Sequence, residues 1–204
     1  ADPEEAELLM RIIFGEMRIG ADEGMMIEGI AEAAGVKTGL ARRALMLSGD
    51  LGEVARIALA EGDGGLRLVG AMMFTPLKPM LAVMSYDIGE VLEEHDGRTA
   101  FEFKFDGARI QIHRQAEEIR IFSRRLTDVT DSLPDIVELI VNRINSDNVI
   151  LEGEAVAVGE GGRPLPFQDL MRRFTRVHDV EGMAEKIPLR LHLFDVLFLD
   201  GRLL

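Results

Sequence analysis

Lys104 stands between two carboxylates in the run Glu102-Phe103-Lys104-Phe105-Asp106-Gly107. A neutral lysine amine is a nucleophile that can carry a phosphoryl group covalently, splitting one difficult transfer into two easier ones. Flanking carboxylates oppose this by favouring the ammonium form. Activation would need desolvation, a neighbouring cation or a metal that offsets the two acids. In a strand, side chains two apart share a face. The run then reads as a half-buried strand, with Phe101, Phe103 and Phe105 turned into a core and Glu102, Lys104 and Asp106 projecting together. Gly107 permits a sharp turn or the close approach of a ligand. Taken alone, the hexapeptide is equally an ordinary amphipathic strand, and that is the simpler reading.

The surrounding residues carry more. Lys104-Phe105-Asp106-Gly107-Ala108-Arg109 resembles the K-x-D-G-x-R signature of the covalent nucleotidyltransferases: DNA ligases, RNA ligases and mRNA capping enzymes. Phe122-Ser123-Arg124-Arg125, Leu151-Glu152-Gly153-Glu154-Ala155-Val156 and Leu193-Phe194-Asp195-Val196-Leu197-Phe198-Leu199-Asp200-Gly201 are similar to later motifs of that superfamily, in the same order. One four-residue match recurs by chance; four in order across about a hundred residues do not. Pro79-Met80-Leu81-Ala82 and Pro166-Phe167-Gln168 resemble the flanks of ATP-dependent DNA ligases of the archaeal and eukaryotic type. Ile13-Phe14-Gly15-Glu16-Met17-Arg18-Ile19-Gly20 is similar to their helical DNA-binding domain, which RNA ligases and capping enzymes lack.

The resemblance implies a set of roles. Lys104 would attack the α-phosphorus of ATP and become a lysyl-adenylate. Glu102 would meet the adenine, Arg109 and Arg124 the ribose and phosphates, and Glu154 the ribose hydroxyls. Phe194 would stack on the base, although an aromatic in a strand is more often plain core. Asp106 would orient the lysine or help to hold a metal, with Glu152 as a second metal candidate, and Mg²⁺ is the ion implied. Arg18 and the amides near Gly20 are DNA-backbone candidates by resemblance only. Arg125 reads as solvated or DNA-facing. Arg172, Arg173 and Arg176 form a basic cluster that fits phosphates or a solvated helix face equally. The implied substrate is nicked duplex DNA, serving replication, repair and recombination. A sliding clamp is the further partner implied, on a monomeric enzyme in the cytoplasm, or the nucleus of a eukaryote. His95, His113, His178 and His192 show no metal-ligand spacing.

These residues need elements to position them. From Phe101 onward the apolar period is two: Ile110 and Ile112, then Ile119 and Ile121, read as strands of a meander, followed by longer strands over 149–158 and 189–199. On the first long strand Glu152 and Glu154 share a face. On the second, Phe194 lies with His192 and Val196, opposite Leu191, Leu193, Leu197 and Leu199. Asp195 falls on that leucine face, so it is either a paired buried carboxylate or a sign that the facing differs. Leu133, Ile136, Val137, Ile140 and Ile144 make one helical face, with Ser132 as its cap and Pro134 in its first turn. A further helix is expected over 167–174. Before residue 72 the period is helical, with Gly20, Gly35 and Ser48-Gly49-Asp50 separating four or so helices. The expected organisation is a helical DNA-binding domain over 1–72, a proline-bearing linker over 73–79 and an adenylation domain over 80–204. The fold class is α+β: an all-helical part followed by an antiparallel-sheet nucleotidyltransferase domain of the ATP-grasp-like ligase kind, incomplete at its C-terminus.

Composition sets the outer limits. The 204 residues are 47% hydrophobic and 29% charged, typical of a globular protein with a sizeable core. No cysteine is present, which removes disulfides, thiolate metal sites and a thiol nucleophile. No apolar run approaches a membrane span, and no signal peptide is indicated. A net charge of −13 argues against nucleic acid at first sight. The motifs reverse that, and local excesses of arginine along 104–125 and 163–176 suggest a narrow basic path. Relatives of this type carry two more adenylation motifs and an OB-fold domain after the Phe-Asp segment. The expectation is therefore a fragment of a larger enzyme, inactive or weakly active by itself. The rival readings are an RNA ligase or capping-type enzyme, an NAD-dependent ligase (disfavoured by the flanks), and a non-catalytic DNA-binding module.

Overall fold

The computed structural model describes residues 2–13, 22–79, 82–174 and 178–204. The chain divides into two compact units, one of residues 1–45 with 50–69 and one of 46–49 with 70–204. The first is helical: α1 (Pro3–Ile13), α2 (Glu23–Ala34), most of α3 (Thr38–Ser48) and α4 (Leu51–Leu68). Asp22 and Asp50 cap α2 and α4 by accepting from the Met25 and Glu53 amides, satisfying donors that no helical carbonyl can reach. Gly35 closes α2 at a left-handed φ of 64°, which glycine adopts without steric cost. Ile27, Ala31, Ala44, Val54, Ala58 and Leu66 form the buried core of this unit.

The second unit is built on a five-stranded antiparallel sheet in the order β2-β1-β3-β4-β5, from β1 (Ala108–Gln115), β2 (Glu118–Ser123), β3 (Asn148–Ala157), β4 (Leu189–Leu199) and β5 (Arg202–Leu203). With the helical unit, this makes the chain α+β, as its periodicities imply. One face of the sheet is apolar. Ile110, Ile112, Ile119, Ile121, Val149 and Leu151 pack there against Leu133, Ile136 and Ile140 of the α6 segment (α6, Pro134–Arg143). Leu133, not Ser132, occupies the cap position of α6, and it makes no side-chain cap bond. The other end of the helix is closed by Arg114, which is buried and donates to the carbonyls of Ile140 and Ile144. Three short helices complete the unit: α5 (Ile88–Glu94), α7 (Phe167–Phe174) and α8 (Val180–Lys186). The expected helix over 167–174 is α7; α5 and α8 carry too few turns to show a period.

Candidate functional site

Because the apolar face takes the even positions of β1, the odd positions collect polar groups on the opposite face. Pairing sets Arg109 opposite Glu154 and Gln111 opposite Glu152, while β4 sets Asp195 opposite Glu152 and His192 opposite Glu154. Arg109 is ion-paired with Glu152, whose carboxylate is buried, and the second oxygen of Glu152 accepts from Gln111 Nε2 at 3.0 Å. Gln111 Oε1 in turn accepts from the Leu77 amide at 2.8 Å and lies 2.8 Å from His113 Nε2. The stretch expected to be a linker is thus docked on the polar face: Leu77 is buried, and the Phe74 amide donates to His113 Nδ1 at 3.0 Å. Burial pushes the His113 imidazole down to about 4, because a charged ring loses hydration there.

The segment bearing Lys104 is not a strand. Residues 100–105 have no ladder partner, and Phe101 and Phe103 are 71% and 89% exposed. The expected burial of three phenylalanines fails for a physical reason: alternation marks a strand only where a neighbouring strand supplies backbone partners. Phe105 alone is held, its ring stacked on His192 of β4 at 4.0 Å and 19°. A second anchor is Gly107, where an added Cβ would lie 2.4 Å from the Ala155 carbonyl oxygen. That Cβ would also lie 2.9 Å from Glu154 Cγ, so the Gly107 backbone stands beside the Glu154 side chain. Burial raises the Glu154 carboxyl above its ordinary value, while the Gly107 backbone amide, Lys104 and Arg109 act to lower it and Asp106 to raise it. Lys104, Asp106, Arg109 and Glu154 therefore share one electrostatic neighbourhood, where Phe105 packs on β4 and Gly107 on β3.

Phe194 owes its position to irregular pairing. The β3–β4 register skips one residue between Glu152 and Gly153 and another between Ile150 and Leu151. Each β-bulge leaves a β4 residue without a partner, and the residues left over are Phe194 and Leu197. Phe194 is 41% exposed, with the Arg109 guanidinium 5.9 Å from its ring centre. Asp195 is exposed and accepts from the Val196 amide; it is not a buried carboxylate, and the strict alternation expected for β4 does not hold. Arg124, just after β2, lines one small pocket with Arg109, Gln111, Glu152 and Leu77. Arg124 and Arg125 are exposed, as is Glu102.

Other expectations change. Glu152 has both oxygens committed to Arg109 and Gln111, and the described residues form no cluster of three or more His, Asp or Glu side chains. Arg173 cannot meet DNA where it stands: it is fully buried, paired with Asp135 and donating to the Ile187 carbonyl at 2.9 Å. Its sequence neighbour Arg172 is exposed beside Asp169. Arg18, Gly20 and Arg176 lie outside the described residues. Sequence reasoning passed over Gln111, His113 and His192. The available signal was polar residues at alternate positions of an isoleucine-rich strand, in step with Arg109.

A family model described as the ATP dependent DNA ligase domain matches residues 79–204. The chain belongs to the ATP-dependent DNA ligase family. It is 49% identical to a DNA ligase of Thermococcus onnurineus over 201 residues, covering 98% of this chain and 36% of that protein. A DNA ligase of Methanopyrus kandleri is 47% identical over 202 residues, with the same coverage. The ligase domain of M. tuberculosis LigD aligns with 50% of this chain and 30% of its own, at 30% identity and a TM-score of 0.40. The chain thus spans about a third of the length of the curated relatives it matches. Among its described residues, no helix is long and apolar enough to cross a membrane.

Proposed function

We propose that the chain carries the nucleotide-transfer centre of an enzyme that seals 5′-phosphate/3′-hydroxyl nicks in duplex DNA at the expense of ATP. The observation that carries this reading is the docking of the segment that bears Lys104 at the end of the polar sheet face where Arg109 and Glu154 pair, Phe105 stacked on His192 and Gly107 close against Glu154, within the residues that the ligase family model matches. The Lys104 amine attacks the α-phosphorus of ATP. A P–N bond forms, the bond to the β-phosphate oxygen breaks, and pyrophosphate leaves. A 5′-phosphate oxygen of DNA then takes the AMP and frees the lysine. Finally the 3′-hydroxyl attacks the activated 5′-phosphorus, and AMP departs.

The side chains suit these steps. Glu154, half-buried at the end of the polar face, would meet ribose hydroxyls, and the exposed Glu102 the adenine. Arg109 and Arg124 offer planar guanidinium donors to ribose and phosphate oxygens. Phe194 exposes its ring to the base. Mg²⁺ bound to the nucleotide would neutralise charge on the phosphates, with Asp106 and Glu152 as the carboxylates nearest the motif that could help to hold it. The relatives are archaeal, so a cytoplasmic setting beside the genome belongs to the same reading, with sliding-clamp binding and a monomeric state as its extensions.

The test is full-length protein with α-labelled ATP, Mg²⁺ and nicked duplex. The expected result is a labelled protein adduct and sealed product, both reduced at least about a thousandfold in Lys104→Ala. Sealing that survives Lys104→Ala overturns the reading. An adduct with GTP in place of ATP would transfer the chain to the capping-type alternative.

A further inference from the structure

We propose that Gln111, set in place by His113, is a positioning residue for nucleotide transfer: it fixes the Glu152 carboxylate, which holds the Arg109 guanidinium in the attitude that meets the nucleotide. The inference rests on the reading of Arg109 as a nucleotide contact. Every hydrogen-bonding capacity of the Gln111 amide is used. Its Nε2 donates to Glu152 Oε1 at 3.0 Å and to the Leu77 carbonyl at 3.3 Å, and its Oε1 accepts from the Leu77 amide and from His113 Nε2, each at 2.8 Å. A flipped amide would set its NH₂ against two donors, so one orientation is enforced. The His113 tautomer is enforced as well. Its Nδ1 accepts from the Phe74 amide, so the proton sits on Nε2 and points at Gln111. Gln111, His113 and Glu152 are all buried, and in that setting a missing partner is costly and a satisfied network is stiff.

Arg109 needs such support. Its side chain is part-exposed, at 31%, and by itself it would sample several rotamers. Its anchor is Glu152, and the anchor of Glu152 is Gln111. None of these contacts involves Lys104, so the relay acts on the nucleotide's seat and not on the nucleophile.

A double-mutant cycle in the full-length enzyme tests this. The readout is the ATP concentration that half-saturates formation of the labelled adduct, with thermal melting to confirm folding. Gln111→Leu is expected to raise that concentration roughly tenfold, the scale of losing a hydrogen bond to a charged group. In an Arg109→Ala background the same substitution should change it less than about twofold, because the side chain being positioned is gone. His113→Leu should resemble Gln111→Leu. His113→Gln, which can present an N–H near the place of Nε2, should return most of the loss. Equal effects of Gln111→Leu in both backgrounds, or no effect in a folded variant, overturn the proposal. So does a His113→Gln variant as impaired as His113→Leu, and the His113 pair decides the matter if Gln111→Leu does not fold. Absence of any ATP adduct in the unmutated enzyme would instead sink the functional reading, so the two failures are distinguishable.

Discussion

Arg172 and Arg173 are adjacent in sequence and opposite in environment. A basic cluster on a short helix looks like a phosphate-binding feature, but the helical turn sends one guanidinium to solvent and the other into the protein. Arg173 is fully buried among Asp135 and the Ile187 carbonyl. Removing its side chain leaves a carboxylate and a carbonyl short of a donor, and broken buried pairs are among the largest single-residue effects. Arg173→Ala in the full-length protein is therefore expected to lose about 3 kcal/mol of stability in denaturant melts. Arg172→Ala, whose partner Asp169 is a surface neighbour, should stay within about 0.5 kcal/mol. Two melts of equal midpoint would contradict the burial. The motif lysine raises the same issue in reverse: Lys104 is recognisable by its neighbours in sequence, while the groups that hold its segment, His192 and Glu154, come from β4 and β3.

At the scale of elements, the nucleophile segment is positioned by contact and not by pairing. Gly107 approaches β3 so closely that a methyl group would meet the Ala155 carbonyl oxygen at 2.4 Å and Glu154 Cγ at 2.9 Å. A backbone carbonyl fixed in a ladder cannot give way cheaply, so Gly107→Ala must push the Lys104 segment off the sheet. The expected cost is about 1–3 kcal/mol of strain with a fall in adduct formation of at least roughly tenfold. Adduct formation at the unmutated rate would show that the close approach does not matter. The same segment marks the limit of what sequence can reveal. β1, β2 and β3 were legible because one face of each is covered by the α6 layer, and burial imposes period two. Residues 101–105 have that period and no partner strand, and alternation cannot report a partner. β4 was legible as a strand but not in its facing, because the two bulges depend on β3, whose residues lie some forty positions away. The candidate residues were found by motif. Gln111 and His113 were missed because their importance comes from Leu77, Phe74 and Glu152 meeting them in three dimensions.

At the scale of the whole molecule, the charge of −13 and the buried imidazole of His113 respond to acid in opposite directions. Protonating surface carboxylates lowers the net charge and relieves self-repulsion, which stabilises the folded chain. Exposed charges are screened over roughly 8 Å at physiological salt, so this gain is small. Glu154 acts in the same direction, since a carboxyl raised by burial is relieved of its cost when it takes a proton. His113 works against both. Its folded value is about 4 against an ordinary 6.5, so between those limits the unfolded chain binds the extra proton. The stability its neutral form confers is complete above about pH 6.5 and is lost as pH falls towards 4. That loss is about 2 kcal/mol by pH 5, and no salt screens it because the ring is buried. His113 should therefore dominate, and denaturant melts should show the full-length protein less stable near pH 5 than near pH 7.5. His113→Gln, which cannot titrate, should lose about 2 kcal/mol less over the same interval. The comparison of the two slopes cancels every carboxylate that the proteins share. Equal slopes would mean that the ring is not buried in its neutral form, and with that the fixed tautomer facing Gln111 would fall too.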